Sequence, residues 1–269
     1  MEGSSIDNGT LPPANCKYIL TIAGHDPSGG AGITSDIKTF EAHGLYGLSV
    51  CTALTVQNDV EFNQCIWTDL EVILSQIETL FKRFTIQVVK IGIVESWNVL
   101  LAILKCLHAL NSEIKVVLDP VIQASAGFDF HALEHQKSLD EVLKKCYIIT
   151  PNYNEIKQLY PELDIQDTID YISNITNLYL KGGHRSDKKG WDELYHNKIV
   201  MVNIPPVSKT VTDKHGSGCV LSAALASQIL LQEPLEDAAR DAKYYVEQFL
   251  NSNTSLLGYH TYQKTNIES

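Results

Sequence analysis

Apolar residues are arranged along this chain in two alternating patterns. Short consecutive apolar runs bounded by turn-forming residues predict buried strands at Tyr18–Ala23, Tyr46–Val56, Gln87–Ile91, Ile114–Leu118, Tyr147–Thr150 and Asn177–Leu180. Longer segments with apolar residues three or four positions apart predict helices at Ile33–His43, Asp69–Phe84, Trp97–Leu110, His131–Lys145 and Val220–Leu231, and a last helix after Pro234. The segment Glu193–Ile204, with Asn197 at its turn, is typical of a small hairpin.

The alternation of strands and helices predicts an α/β fold of right-handed βαβ units around a mostly parallel sheet. The sequence shows no internal repeat, low-complexity tract or linker, so we expect a single domain over residues 18–269. Residues 1–17 are polar and rich in turn formers, and we expect them to form a flexible leader.

Unusual polar and glycine-rich segments follow the predicted strands. Because ligands gather at the carboxyl ends of the strands in such sheets, these segments predict one common binding site. The segments are Gly24–Gly32 (GHDPSGGAG), Gln57–Asn58, Asp119–Pro120, Pro151–Asn152 and Lys181–Gly183.

The motif His215–Cys219 (HGSGC) stands immediately before an apolar helix. Gly216 and Gly218 let a ligand approach the backbone closely, and the unpaired N–H groups and dipole at a helix start favour an anion such as phosphate. The alternative is a simple glycine turn capped by Ser217. At this helix start Cys219 is expected to have a lowered pKa and to act as a nucleophile or base, unless it is an ordinary buried thiol.

Asn152 and Glu155 are three residues apart at a predicted helix start, which places both side chains on one face. Their oxygen atoms could hold a hydrated Mg²⁺ ion. The alternative, favoured by the local pattern alone, is a helix cap in which the two side chains bind the backbone.

The charge balance and the cysteines narrow the classes of partner. With 21 basic and 32 acidic residues the net charge is −11, which disfavours nucleic-acid and membrane surfaces. The six cysteines are scattered without a CxxC pair, which indicates reduced thiols rather than disulfides or zinc. With neither a signal peptide nor a long apolar span, we expect a cytoplasmic protein.

Seven motifs together make the chain resemble a known enzyme family. The motifs occur in the order TIAGHDPSGGAGITSDIKTFEAHGLYG, TALTVQN, VKIGI, VVLDPV, ITPNYNE, LKGGH and HGSGCVLSAALA. With them the chain is similar, from about Ile19 to Val246, to the hydroxymethylpyrimidine/phosphomethylpyrimidine kinases of thiamine biosynthesis, which belong to the ribokinase superfamily. The resemblance implies a ribokinase-like three-layer sandwich, ATP and Mg²⁺, two successive phosphorylations of 4-amino-5-hydroxymethyl-2-methylpyrimidine, and a homodimer.

The resemblance also implies roles for individual residues. Pyrimidine contacts are implied for Gly24, Asp36, Gln57, Ile93 and Val121. Nucleotide-side contacts are implied for Asn152, Lys181, Gly183, Asp213 and Lys214, with Lys214 adding positive charge near the phosphates. Magnesium contacts are implied for Asp119 and Glu155, and the anion hole and catalysis for Gly216, Gly218 and Cys219, the last standing where most ribokinase-like enzymes have an aspartate.

The chain departs from the family pattern at three places. Ile93 replaces a usual methionine, the stretch Ile122–Gly127 lacks a usual lysine, and Asp213-Lys214 replaces Asn-Thr. Two other functions remain open: a pyridoxal kinase, against which Gln57 argues, and a non-catalytic pyrimidine-binding sensor. We expect any lid over the site at residues 128–131 or 186–190.

Overall fold

The computed structural model describes residues 16–121, 136–183, 185 and 188–261. The flexible leader, except for its last two residues, lies outside the described residues. So do the lysine-free stretch, the first lid candidate, two residues of the second, and the start of the helix expected at His131–Lys145. Those predictions stay predictions.

Nine strands form one sheet, in the order β3-β2-β1-β4-β5-β6-β7-β8-β9. The strands from β2 through β1 to β7 run parallel, while β3, β8 and β9 run antiparallel to their neighbours. The prediction of a mostly parallel sheet is therefore confirmed. The strands are β1 (Tyr18–His25), β2 (Tyr46–Gln57), β3 (Phe62–Trp67), β4 (Ile86–Ile91), β5 (Lys115–Leu118), β6 (Ile148–Ile149), β7 (Asn177–Leu180), β8 (Asp192–His196) and β9 (Ile199–Ile204).

Eight helices within the described residues cover the two faces of the sheet. They are α1 (Gly32–Ala42), α2 (Leu70–Phe81), α3 (Trp97–Leu110), α4 (Gln136–Leu143), α5 (Tyr153–Leu159), α6 (Ile165–Ser173), α7 (Ser217–Leu230) and α8 (Leu235–Leu250). None of these eight helices is both long and apolar enough to cross a bilayer.

The hydrophobic core consists of two layers, one on each face of the sheet. Side chains of β1 alternate between them, so that Leu20 and Ile22 pack beneath α2 to α6, while Ile19 packs beneath α1, α7 and α8. Helix α7 is buried on nearly all sides, because it lies between the sheet and α8. Its first turn is therefore held in place by a rigid surround.

Two elements escaped prediction from the sequence. Strand β3 is mostly exposed and mixes polar with apolar residues, so it shows no burial pattern, and only its antiparallel pairing with β2 makes it a strand. Helix α6 has Ile165, Ile169 and Ile172 at helical spacing, but it is short, with only nine residues. It begins where the Asp164 side chain accepts the N–H of Asp167, an ordinary N-cap.

A buried ion pair fastens α1 to the sheet. The Nζ atom of Lys90 on β4 lies 2.9 Å from Oδ2 of Asp36 on α1, and both side chains are fully buried. The hydroxyl of Thr21 on β1 donates to the same oxygen at 2.6 Å. Burial alone would lower the pKa of Lys90, but the Asp36 carboxylate outweighs that effect and holds the pKa above its ordinary value.

The substitution Asp36→Ala tests this pair. It leaves a buried ammonium without its partner, so we expect the free energy of unfolding to fall by about 3–5 kcal/mol in urea titrations. The matched control is Lys144→Met, which breaks the exposed Lys144–Glu141 pair (2.9 Å) and should leave the midpoint unchanged. An Asp36→Ala midpoint equal to that of the wild type would contradict the prediction.

Candidate active site

A cavity of about 490 Å³ opens at the carboxyl ends of the parallel strands. All five strand-end segments singled out in the sequence contribute to its wall, together with the anion loop, the name used here for His215–Cys219. Of the predicted site residues, the cavity is lined by Gly24, Gln57, Ile93, Asp119, Val121, Asn152, Glu155, Lys181, Gly183, Gly216, Gly218 and Cys219. Their assembly in one cavity is the placement that the sequence predicts.

The loop between β1 and α1 is organised around the Asp26 carboxylate. Its oxygens accept the backbone N–H groups of Ser28 (2.8 Å), Gly30 (3.2 Å) and Ala31 (2.8 Å), so the loop wraps around one buried charge. Burial opposes ionisation, but hydrogen bonds from His215 and Ser28 lower the pKa of Asp26 to about 2. The carboxylate is therefore ionised at neutral pH.

The same carboxylate joins this loop to the anion loop. His215 Nε2 lies 3.0 Å from Oδ2 of Asp26. Gly216 caps α7 in the left-handed region with φ at 77°, and a Cβ atom there would collide with the Gly30 carbonyl. Glycine is thus required at position 216 both by backbone conformation and by the close approach of the two loops. Ser217 does not cap the helix, so the alternative of a Ser-capped turn is wrong.

Cys219 lies in the first turn of α7 at the cavity wall, half-buried. Burial raises its pKa to about 11; the positive charge of Lys90 opposes this shift, while Asp119 and Asp36 add to it. The expectation of a lowered pKa from the helix dipole is therefore wrong for the free site. Burial and two carboxylates outweigh the helix end and Lys90.

Lys181 and two carboxylates form the floor of the cavity beside the anion loop. Its Nζ atom lies 2.9 Å from Asp119 Oδ1 and 3.7 Å from Glu155 Oε2. A Cβ atom on Gly218 would lie 3.3 Å from the same Nζ atom, so the ammonium faces the anion loop directly. Burial alone would raise the pKa of Asp119, but Lys181 and Lys90 hold it below its ordinary value.

Asn152 and Glu155 form a capping box at the start of α5. Asn152 Oδ1 accepts the N–H of Glu155 at 2.9 Å, and Glu155 Oε2 accepts the N–H of Asn152 at 2.6 Å. The structural alternative to metal binding is thus present in the protein. Glu155 also faces Lys181 in the cavity, so the same side chain caps the helix and places a carboxylate at the site.

Three predicted site residues do not line the cavity. Asp36 is fully buried beneath it, with Oδ2 held by Thr21 and Lys90 and Oδ1 without a hydrogen-bond partner. Asp213 is exposed. The Lys214 ammonium donates to the Asn253 carbonyl at 2.7 Å, so the expectation that it faces the phosphates is wrong: the backbone oxygen holds it away from the cavity.

Sequence reasoning missed several residues that line the cavity. Asp26 lies in GHDPSGGAG and His215 in HGSGC, two motifs that were singled out for their glycines. Lys90 lies in VKIGI, which was singled out for its last residue, Ile93. An aspartate just before Pro-Ser-Gly-Gly is a signal that could have found Asp26, since such loops need an acceptor for their N–H groups. Lys90 had no local signal, because its partner lies 54 positions away.

No group of three or more His, Cys, Asp or Glu side chains within the described residues forms a self-sufficient metal site. Asp119 and Glu155 do present hard oxygen atoms to the cavity beside Lys181. Mg²⁺ commonly takes only one or two carboxylates and completes its shell with water and phosphate oxygens. The donor set therefore fits Mg²⁺ only in company with a phosphate ligand.

Comparison with known proteins shows close relatives along nearly the whole chain. The profile of the family described as phosphomethylpyrimidine kinase matches residues 26–264. A hydroxymethylpyrimidine/phosphomethylpyrimidine kinase of Aquifex aeolicus is 31% identical over 245 residues, covering 88% of this chain and 95% of the relative. The corresponding kinase of Escherichia coli is 31% identical over 240 residues, covering 86% and 90%.

Solved structures agree with this result. A phosphomethylpyrimidine kinase from Clostridium difficile 630 has 32% identity and a TM-score of 0.71, covering 86% of this chain and 97% of that one. The pyridoxal kinase of Staphylococcus aureus in complex with pyridoxal has a TM-score of 0.77 but 23% identity, covering 91% and 92%. The second likeness shows the shared ribokinase-like fold.

The ionisation of Cys219 can be measured directly. With a pKa of about 11, the thiol of the free protein stays protonated at pH 7, and alkylation by iodoacetamide should speed up about tenfold per pH unit up to about pH 11. Mass spectrometry of the peptide that contains Cys219 follows the rate, and Cys219→Ser removes the signal. A labelling midpoint near pH 7 would contradict the raised pKa.

Proposed function

This chain belongs to the phosphomethylpyrimidine kinase family, and we propose that its cavity transfers phosphate from ATP twice: to 4-amino-5-hydroxymethyl-2-methylpyrimidine and then to the resulting monophosphate. The diphosphate that it forms is the pyrimidine precursor in thiamine biosynthesis. The observation that carries the proposal is the convergence of an anion loop, a buried lysine and a polar substrate wall on one cavity.

The pyrimidine binds, in this proposal, at the end of the cavity formed by β2 and β3. Gln57 and Thr55 of β2 and Phe62 of β3 face this end. The Gln57 carboxamide has one donor and one acceptor group, which suits the alternating donors and acceptors of an aminopyrimidine. A Cβ atom on Gly24 would collide with the Ile93 side chain, so glycine keeps the apolar wall close to the ring.

Phosphoryl transfer takes place, in this proposal, against the anion loop. The N–H groups at the start of α7 and the positive end of its dipole hold the transferred group, and Lys181 neutralises charge at the same point. A loose transition state gains most from such positioning and charge stabilisation. Mg²⁺ held through Asp119 and Glu155 would neutralise further phosphate charge.

The nucleotide occupies the opposite end of the cavity. Beyond Lys181 and Gly183 the wall includes the apolar side chains of Leu221, Val246 and Leu250, which suit a purine ring, together with the Lys243–Asp192 ion pair (3.1 Å). Asn152 lines the cavity, but its Oδ1 already accepts two backbone N–H groups. Its amide nitrogen is the group left to meet phosphate or water.

Cys219 is the proposed proton acceptor for the first phosphorylation. The minor thiolate fraction of a thiol with pKa of about 11 is a strong base, and it takes the proton of the hydroxymethyl group as the new P–O bond forms. The second acceptor is already a phosphate anion and has no alcohol proton to lose. Cys219 is therefore needed in one step and dispensable in the other.

The quaternary state and the compartment are also part of the proposal. We expect a homodimer and a cytoplasmic location, with no nucleic-acid or membrane partner. On the face of β2 and β3 turned away from the cavity, Leu54, Val56 and Ile66 are about half exposed (53%, 47% and 50%). A second copy of the chain would cover this apolar face, and light scattering of the purified protein measures the oligomer.

An assay of ADP release tests the function. We expect turnover with hydroxymethylpyrimidine and with its monophosphate, and a kcat/KM for pyridoxal at least tenfold lower, because Gln57 lines the end of the cavity where the pyrimidine is proposed to bind. Preferred turnover of pyridoxal would establish the vitamin B6 kinase instead. Tight pyrimidine binding without turnover of any substrate would establish a sensor.

Substitution of Cys219 separates the two phosphorylations. We expect Cys219→Ala to lower kcat for the hydroxymethyl substrate about a hundredfold and kcat for the monophosphate less than tenfold, as judged by a general-base contribution. In the wild type the first step should also speed up as pH rises toward 11, because the base acts deprotonated, and this rise should vanish in the variant. Equal losses in both steps would argue against the assignment.

A further inference from the structure

The described residues after α8 fold back onto the candidate active site. Within Asn253–His260, here called the C-terminal strap, the Asn253 side chain accepts the N–H of Ser255 at 2.8 Å and donates to the Leu257 carbonyl at 2.9 Å. The backbone N–H of Tyr259 donates to the Ser252 hydroxyl at 2.9 Å. The strap therefore has a defined shape of its own.

The strap holds the anion loop through two backbone carbonyls. The Leu256 carbonyl accepts the N–H of His215 at 2.9 Å, and the Asn253 carbonyl accepts the Lys214 ammonium at 2.7 Å. The two donors are the two residues before Gly216, which is the N-cap of α7. These contacts fix the entry of the chain into the loop that the proposed reaction uses.

The strap also packs on the Asp26 loop. A Cβ atom on Gly30 would lie 2.8 Å from Leu257 Cδ2 and 2.6 Å from His215 Cδ2, so Gly30 is enclosed between strap and anion loop. The Lys38 ammonium of α1 donates to the neighbouring Gly29 carbonyl at 2.8 Å. One segment thus contacts both loops that form the phosphate end of the cavity.

His260 anchors the far end of the strap. Its Nδ1 atom lies 3.1 Å from the Tyr245 hydroxyl of α8 and 3.3 Å from the Thr39 hydroxyl of α1. Its ring lies 4.8 Å from the Phe249 ring, centroid to centroid. The anchor joins the strap to two helices that belong to the rigid core.

We propose that the C-terminal strap is a positioning element for phosphoryl transfer, which holds the anion loop in its productive place through Leu256, Asn253 and the His260 anchor. The inference rests on the proposed function, since the loop matters only if phosphate is transferred there. Neither Leu256 nor His260 lines the cavity, so the strap acts through the loop and not on the substrate.

The anchor depends on an uncharged His260 ring. Burial lowers the pKa of His260 to about 4, and the positive charges of Lys38 and His43 add to the effect. The titratable groups that face the ring are Lys38 on α1, His43 directly after α1, and Tyr245 on α8. A released histidine has a pKa of about 6.5, so docking is strongest above that pH and weakens as pH falls toward 4.

Hydrogen exchange of the His215 amide is the direct test, because that N–H is bound by the strap. In His260→Ala we expect its protection factor to fall at least tenfold and kcat for both phosphorylations to fall about tenfold to a hundredfold. The control Tyr259→Ala changes a side chain of the same strap that is 70% exposed, and should alter neither quantity.

His260→Gln supplies the matched rescue. Its carbonyl oxygen can still accept from the Tyr245 hydroxyl, but the side chain cannot take up a proton. We expect near wild-type protection at pH 7, without the loss of protection that the wild type shows between pH 6.5 and 4. If the wild type and His260→Gln lost the same amount of His215 amide protection between pH 6.5 and 4, the role of His260 would be contradicted.

A double-mutant cycle completes the test. If Lys214 acts through the strap, Lys214→Met and His260→Ala together should lower kcat/KM for ATP little more than either alone. Additive losses of kcat/KM in the double variant would overturn the shared role. So would a His260→Ala protein that loses protection of the His215 amide but keeps its kcat, or one that keeps the protection but loses kcat. A wild type inactive on both pyrimidines would refute the proposed function, whereas the protection factors would still test the hold of the strap on the loop.

Discussion

The Asp26 carboxylate is the constraint on which the anion-loop end of the cavity depends. It binds N–H groups of the loop after β1 and the imidazole of His215, which is 189 positions further along the chain. Left-handed Gly216 and the Gly30 carbonyl are in contact because this one charge draws both loops together. Without a buried acceptor, the N–H groups of the first loop would have to be satisfied by water inside the site.

Charge pairing explains how an acidic chain can receive a polyphosphate. Three lysines among the described residues line the cavity, and each is matched by a carboxylate: Lys90 by Asp36 and Lys181 by Asp119 at 2.9 Å, and Lys243 by Asp192 at 3.1 Å. The resting site is therefore close to neutral, and its remaining attraction for anions comes from backbone N–H groups and a helix end. In the proposed reaction an arriving phosphate would compete with Asp119 for Lys181, which would lower its affinity but favour its orientation.

Much of this arrangement could be predicted from the sequence, because the signals were local. Short apolar runs and apolar residues at helical spacing placed most strands and helices to within a few residues, and the strand-end segments converged as parallel topology requires. The failures were non-local. Asp36 and Lys214 were assigned by motif position alone, yet Lys90 and the Asn253 carbonyl, both distant in sequence, decide where those side chains point. The prediction of a lowered pKa for Cys219 was wrong for the same reason, because burial and two carboxylates distant in sequence raise that pKa.

A cysteine at the position of the usual aspartate suits an enzyme that must phosphorylate two acceptors. An aspartate at position 219 would place another negative charge beside Asp119 and Asp36, the carboxylates that already raise the pKa of Cys219. Two like charges about 4 Å apart repel by about 4 kcal/mol at the effective dielectric constant of a protein surface. A phosphorylated substrate would meet that repulsion from a carboxylate but not from a neutral thiol. A neutral thiol at position 219 therefore suits the proposed second phosphorylation better than a carboxylate would, because a phosphorylated substrate does not meet this repulsion.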